Sequence, residues 1–261
     1  MDLFPRNGRP LVVGHRGAPR RAPENTIAAF RAAVALGVDI VEFDVVSMAC
    51  GPLIVAHSDQ LEDITHGRAA GRIGNRSLAE LRALAPDLPT FDETLAWFAG
   101  EGREVGLHID LKLRSRLDEV ALAVERHGLS ERIVVSAFHS AVLRTVADAS
   151  AGIQLGFTYP EDRLGISRRR ALWPVVRLGL STMRATLPMR LDRLLANAGA
   201  KAVMLNHALV TPRAVAKAHE IGVPVHAWTV DDPATVVRVV EAGVDGVISN
   251  DPEMVMATLG L

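Results

Sequence analysis

The chain has 261 residues, 49% hydrophobic and 23% charged, with 29 basic against 30 acidic side chains and a formal net charge of −1. Ample apolar content at low net charge excludes a disordered chain, and the charge balance offers no global field to a nucleic acid. The lone cysteine, Cys50, cannot close an internal disulfide, and neither an apolar leader nor a run of about 18 apolar residues is present, so a soluble, cytoplasmic protein is expected.

The first β-branched run is Leu11–His15, followed by Ile27, Phe30 and Val34 at helical spacing. Ile40–Val46 is the second. Leu53–His57 follows too closely for a helical crossover, which needs about a dozen residues, so the two runs read as an antiparallel hairpin. With Val46 opposite Leu53, His57 returns to the level of Glu42. Asp59–Pro89 is polar and carries glycines, and it reads as an excursion over one face with a short helix at Leu78–Leu84.

The remaining runs are Val105–Lys112, Ile133–Phe138, Ile153–Tyr159, Ala202–His207, Val223–Thr229 and Gly246–Ser249. Helix-spaced sets separate most of them: Val120/Ala123/Val124, Val142/Leu143/Val146, Val215/Ala218/Ile221 and Val236/Val239/Val240. Such alternation predicts parallel strands joined by right-handed crossovers. Eight units predict a closed (β/α)8 TIM barrel with an extra hairpin after the second strand, and a single domain over residues 1–261. About 250 residues is an ordinary size for one such barrel.

Reactive residues of such barrels stand at the C-terminal ends of the strands. Those ends carry His15 and Arg16, then Glu42 and Asp44, then Asp110 and Lys112, with His57 brought in by the hairpin. Period two places Glu42 and Asp44 on one side of their strand, and His108, Asp110 and Lys112 on one side of theirs. Three inward carboxylates would repel one another and lose hydration unless a cation neutralised them. An all-oxygen set suits a hard divalent ion, Mg²⁺ or Ca²⁺. The bland alternative for any one of them is a loop cap or an arginine partner.

Several motifs carry a resemblance. They are Gly14-His15-Arg16-Gly17, Pro23-Glu24-Asn25-Thr26, Val41-Glu42-Phe43-Asp44-Val45 and Pro52-Leu53-Ile54-Val55-Ala56-His57. Ile109-Asp110-Leu111-Lys112, Trp228-Thr229-Val230 and Asp245-Gly246-Val247-Ile248-Ser249-Asn250-Asp251-Pro252 follow in order. Together they resemble the glycerophosphodiester phosphodiesterase family from His15 to Pro252. The resemblance implies a barrel of the phospholipase-C-like type that cleaves glycerophosphodiesters with a divalent cation and two histidines. It makes His15 and His57 the general acid and base, and Glu42, Asp44 and Asp110 the metal ligands. Arg16 and Lys112 become phosphate-binding cations and Trp228 a substrate-facing aromatic. A small phosphodiester is the implied partner, and nucleic acid is not. Lysophospholipids are the alternative substrate, and a non-catalytic phosphate-binding barrel the alternative function.

Three positions depart from the family pattern. Asp110 replaces glutamate and shortens a ligand. Ser58 stands after His57 where aspartate is usual. Asp63 stands where arginine is common. Elsewhere Asn25 is expected to cap the first helix, His66 and His139 to sit in loops or at helix starts, and His127 and His219 at helix C-termini. His207 and His226 fall in strands. The stretch 163–193 holds Arg163, Arg168, Arg169, Arg170, Arg177, Arg184, Arg190 and Arg193 beside Trp173, Leu178 and Met189. It reads either as a barrel helix with a long connection or as a peripheral contact with an anionic membrane face.

Overall fold

The computed structural model describes residues 1–161 and 173–261, with side chains in the second segment from residue 178 onward. Nine strands are present: β1 (Leu11–Gly14), β2 (Ile40–Ser47), β3 (Leu53–Val55), β4 (Gly106–Leu111), β5 (Ile133–Ala137), β6 (Gln154–Tyr159), β7 (Ala202–Asn206), β8 (Val225–Trp228) and β9 (Gly246–Ser249). All but β3 run parallel in one ring, closed where β1 pairs with both β2 and β9. The barrel predicted from the strand–helix alternation is therefore observed, with β3 outside the ring and antiparallel to β2.

The described helices are α1 (Ile27–Leu36), α2 (Leu61–Ile64), α3 (Leu78–Leu84), α4 (Phe91–Ala99), α5 (Leu117–Arg126), α6 (Ser140–Ala149), α7 (Trp173–Ala198), α8 (Pro212–Glu220), α9 (Pro233–Glu241) and α10 (Pro252–Leu259). Local chemistry sets many of their starts. Ser77 with Glu80 and Thr90 with Glu93 form capping boxes for α3 and α4. Thr211, Asp232 and Asp251 cap α8, α9 and α10, each of which opens with a proline.

Pleat alternation divides β2 between two environments. Val41, Phe43 and Val45 face outward into the core beneath the helices, where Phe43 stacks on Phe98 at 5.7 Å and lies 5.5 Å from Phe30. Ile40 faces inward and joins Leu11, Val13, Val134, Ala202, Met204 and Ile248 in an apolar barrel floor. Leu3, only 1% exposed, completes that floor, and its carbonyl accepts from His226 Nε2 at 2.9 Å. Above the floor the inward positions turn polar, beginning with Glu42 and Asp44.

The hairpin register differs by one residue from the predicted one. Ser47 opposes Leu53, Val46 opposes Ile54 and Val45 opposes Val55. The reason is facial matching, since a one-residue slip exchanges the two faces of a strand. Val46 and Ile54 both enter a small core under the excursion with Leu61, Ile64, Leu81 and Leu88, whereas Val45 and Val55 both face the main core. The expected helix over Leu78–Leu84 is α3.

Helix α7 buries Leu187, Leu191, Leu195 and Ala198 against the barrel and leaves Leu178 70% and Met189 78% exposed. Arg163, Arg168, Arg169 and Arg170 lie outside the described residues, as do the side chains of Trp173 and Arg177. Among the described residues no helix is long and apolar enough to cross a membrane.

Candidate active site

The loop after β1 presents two of the candidate residues. Gly17 takes φ +89° and packs so closely on α1 that a Cβ there would lie 2.6 Å from the backbone of Ala29. This tight turn aims His15 and Arg16 over the mouth of the barrel. β2 contributes Glu42 and Asp44, while β4, in register with Asp110 beside Asp44, contributes Asp110 and leads directly into Lys112. Ala56 N donates to Asp44 O at 3.1 Å, and the chain then leaves the ladder and delivers His57. Trp228 closes the far wall, its indole N–H donating to Met204 O at 2.8 Å and its ring edge-on to Phe138. His15, Arg16, Glu42, His57, Asp110, Lys112 and Trp228 all line one cavity of about 130 Å³, and Asp44 lies beneath it.

Glu42, Asp44 and Asp110 are 3%, 0% and 6% exposed, and one oxygen from each lies within 4.8 Å of the others. The shorter side chain of Asp110 therefore still reaches the cluster. Two cations are woven into it. Arg16 N donates to Glu42 Oε2 at 2.8 Å, and its guanidinium bonds Glu24 at 2.7 Å and lies 3.0 Å from Asp44 Oδ2. Lys112 Nζ bonds Asp110 and lies 3.1 Å from Asp44 Oδ1. Neither approach to Asp44 is along a hydrogen-bond direction, which leaves Arg16 Nε and Asp44 Oδ1 buried without an aligned partner. An orphaned anionic oxygen among three clustered carboxylates is the donor set of a hard divalent cation, so these residues fit such an ion.

The charges divide unevenly. Burial, then repulsion from Asp44 and Asp110, holds the Glu42 carboxyl well above the usual carboxylate range. Burial acts the same way on Asp44, but Lys112 and Arg16 outweigh it and keep that carboxyl below its ordinary value. Burial opposes the charges of Lys112 and Arg16, yet the surrounding carboxylates prevail and raise both. His15 is pushed down to about 4 by burial and then by Arg16, so its ring is neutral near pH 7.

Several residues of the site went unassigned in the sequence. Asn25 does not cap α1; Thr26 does, accepting from Ala29 N. The Asn25 amide instead embraces Asp44, donating to Oδ2 at 3.0 Å and accepting from its backbone N–H at 3.2 Å. Two adjacent capping residues were the available signal, since one helix start needs only one. Asn250, just past β9, lies 2.7 Å from His15 Nδ1 through Oδ1, and its Nδ2 donates to Asp231 at 2.7 Å. Because a carboxylate only accepts, Asp231 sets the amide orientation. His15 Nδ1 then carries the proton and Nε2 the lone pair.

Beneath Asp110, Ser136 Oγ donates to Oδ1 at 2.8 Å and receives Thr158 Oγ1 at 3.0 Å and His108 Nε2 at 2.8 Å. Burial pushes His108 down to about 3, and it is neutral. The other histidines have separate partners. His127 pairs with Asp92, His139 with Glu161 and His219 with Asp245, while His226 belongs to the floor. His207 lines a different groove, and His66 lies beside Asp63 at the rim.

Residues 15–254 match the glycerophosphoryl diester phosphodiesterase family. A glycerophosphodiester phosphodiesterase of Caldanaerobacter subterraneus subsp. tengcongensis is 27% identical over 257 residues, covering 93% of this chain and 95% of that protein. A crystal structure from Silicibacter pomeroyi, named as a candidate glycerophosphoryl diester phosphodiesterase, superposes with a TM-score of 0.79 at 26% identity over 98% of this chain and 95% of its own. A phosphodiesterase from Oleispira antarctica, solved with the product sn-glycerol-3-phosphate, shares the fold at a TM-score of 0.72 and 21% identity, covering 97% of each chain. With a match over nearly its full length, the chain belongs to the glycerophosphoryl diester phosphodiesterase family, a family of phosphodiester hydrolases.

Proposed function

We propose that this barrel, acting as one domain over residues 1–261, hydrolyses glycerophosphodiesters to sn-glycerol 3-phosphate and an alcohol. One observation carries the reading: three clustered, buried carboxylates, the cations Arg16 and Lys112 and the imidazoles of His15 and His57 come together at one small cavity. Glu42, Asp44 and Asp110 would hold one divalent cation, Mg²⁺ or Ca²⁺, which when bound offsets charge on the phosphodiester and its transition state. Arg16 and Lys112 remain protonated and add positive charge where the non-bridging oxygens gather negative charge.

His15 acts as the base. Its Nδ1–H is committed to Asn250, and its neutral Nε2 can take a proton from the nucleophile. His57, on the hairpin side of the same cavity, protonates the departing alkoxide. Trp228 offers an apolar wall to the glycerol moiety.

The test is turnover of glycerophosphocholine by the purified protein with Mg²⁺ or Ca²⁺, followed as release of sn-glycerol 3-phosphate. Saturable binding of sn-glycerol 3-phosphate with no turnover under either ion would replace hydrolysis with a phosphate-binding barrel.

A second reading draws on α7. A groove of about 690 Å³ beside it is lined by Leu180, Arg184, Pro188, His207, Arg213 and Arg238, and Leu178 and Met189 stand exposed on the same helix. Cations beside apolar side chains suit an anionic membrane face and a lysophospholipid substrate. The expected outcome is co-sedimentation with phosphatidylglycerol vesicles at low salt, loss of binding at high salt, and turnover of lysophosphatidylcholine. Protein left in the supernatant at low salt, together with inertness toward the lysolipid, would assign the enzyme a water-soluble substrate.

A further inference from the structure

His57 stands between two cavities. Its ring lines the catalytic one with Glu42 and Lys112, and it also lines a narrow one on the outer side with Asn25 and Asp63. Asp63 lines the outer cavity and not the catalytic one. There its Oδ2 lies 3.3 Å from His57 Nδ1 and accepts the Ser58 hydroxyl at 2.5 Å. The Ser58 oxygen in turn accepts from Gln60 N at 3.2 Å, so its single proton is committed to Asp63. A carboxylate offers no proton, so the His57 nitrogen facing it is N–H, and the lone pair of the neutral ring falls on Nε2.

The backbone that carries Asp63 is anchored. Asp63 lies in α2, whose Leu61 and Ile64 are buried in the small core under the excursion. Leu61 N is bonded to Gly71 O at 2.8 Å, and Thr65 N returns to Leu61 O at 2.9 Å. Two of the departures from the family pattern thus meet in one arrangement. Ser58 lacks the carboxylate that usually follows the histidine, and Asp63 brings one to the same ring.

We propose that Asp63, held by the Ser58 hydroxyl, is the positioning residue for His57: it fixes the Nδ1–H tautomer and aims Nε2 into the catalytic cavity. The role rests on the reading of His57 as the general acid given above: protonated on both nitrogens, the ring delivers its Nε2 proton to the alkoxide, and the neutral ring left behind keeps its proton on Nδ1 against Asp63. The excursion over 59–89 is on this account a functional part of the barrel mouth, because its small core holds the carboxylate in place.

The experiment compares Asp63→Ala and Asp63→Asn with the wild type in the presence of Mg²⁺, at matched melting temperature. Ring nitrogen NMR shifts report the His57 tautomer, assigned by the signal lost in His57→Gln and read without substrate. Asparagine keeps a carbonyl oxygen able to accept from both Nδ1–H and Ser58, so Asp63→Asn should retain the tautomer and most of kcat. Asp63→Ala should populate the Nε2–H form and lower kcat by about 10- to 100-fold, the usual cost of losing a group that orients a histidine, with KM changed less than about threefold. An unchanged ring in Asp63→Ala, or a changed ring with wild-type kcat, overturns the proposal. A wild-type protein with no turnover would count against the hydrolytic reading alone, because the ring signals would still decide whether Asp63 sets the tautomer.

Discussion

Chelation with EDTA is expected to abolish turnover, and Mg²⁺ or Ca²⁺ to restore it. Glu42, Asp44 and Asp110 place carboxylate oxygens within 4.8 Å of one another in a buried site, and Arg16 and Lys112 do not satisfy them, since Glu42 is still held well above its ordinary range. The sign of the proton linkage follows. A Glu42 carboxyl raised by burial and its carboxylate neighbours holds its proton to higher pH without the cation than with it, so metal affinity should rise with pH and binding should release protons. A cation bound only by the folded chain also stabilises it, by about 2.7 kcal/mol at a hundred times Kd. The checks are turnover, calorimetric titration in buffers of different ionisation enthalpy, and thermal melting. Full activity in excess EDTA, with metal content shown to be nil, would remove the cation from the reaction.

His15→Ala and His57→Ala should each lower kcat by at least about a hundredfold, the ordinary scale for a general acid or base. The double variant should be little worse than either single one, because the base and the acid act as a unit on one displacement. The singles should differ in a second readout. His15, its side chain 15% exposed, is tied through Asn250 to Asp231, so its removal leaves that amide oxygen without its ring partner and should lower the melting temperature. His57 lies at the rim with its side chain 32% exposed, and its removal should leave melting nearly unchanged. Near-wild-type turnover by either folded variant would take that residue out of the mechanism.

Much of the barrel was legible because its signals are local. Strand-to-helix alternation needs only the spacing of Val, Ile and Leu, and eight such units leave few ways to cover both faces of the strands except by closing the sheet. Strand-end chemistry was legible for the same reason. Glu42 and Asp44 alternate with Phe43, and a strand that buries Phe43 outward must turn both carboxylates inward. The motif order from His15 to Pro252 then pointed to the family that the comparison bears out.

Register and long-range partners were not legible, because they depend on what lies across a gap. The hairpin pairs Val46 with Ile54, and only the small core of Leu61, Ile64, Leu81 and Leu88 decides which side chains share a face. Asn25 reads locally as a helix cap, and the proximity of Asp44, nineteen residues on, turns it into a partner of that carboxylate instead. The first residues show no pattern, yet Leu3 seals the barrel floor and gives His226 a backbone oxygen. Asp63 looked like a lost arginine until α2 brought it to His57. Composition and periodicity by themselves determined the barrel and its polar end, and the resemblance of its motifs pointed to the family. Which oxygen meets which nitrogen was decided only by tertiary packing, since hydrogen bonds act over about 3 Å and no local pattern carries a distance between segments far apart in the chain.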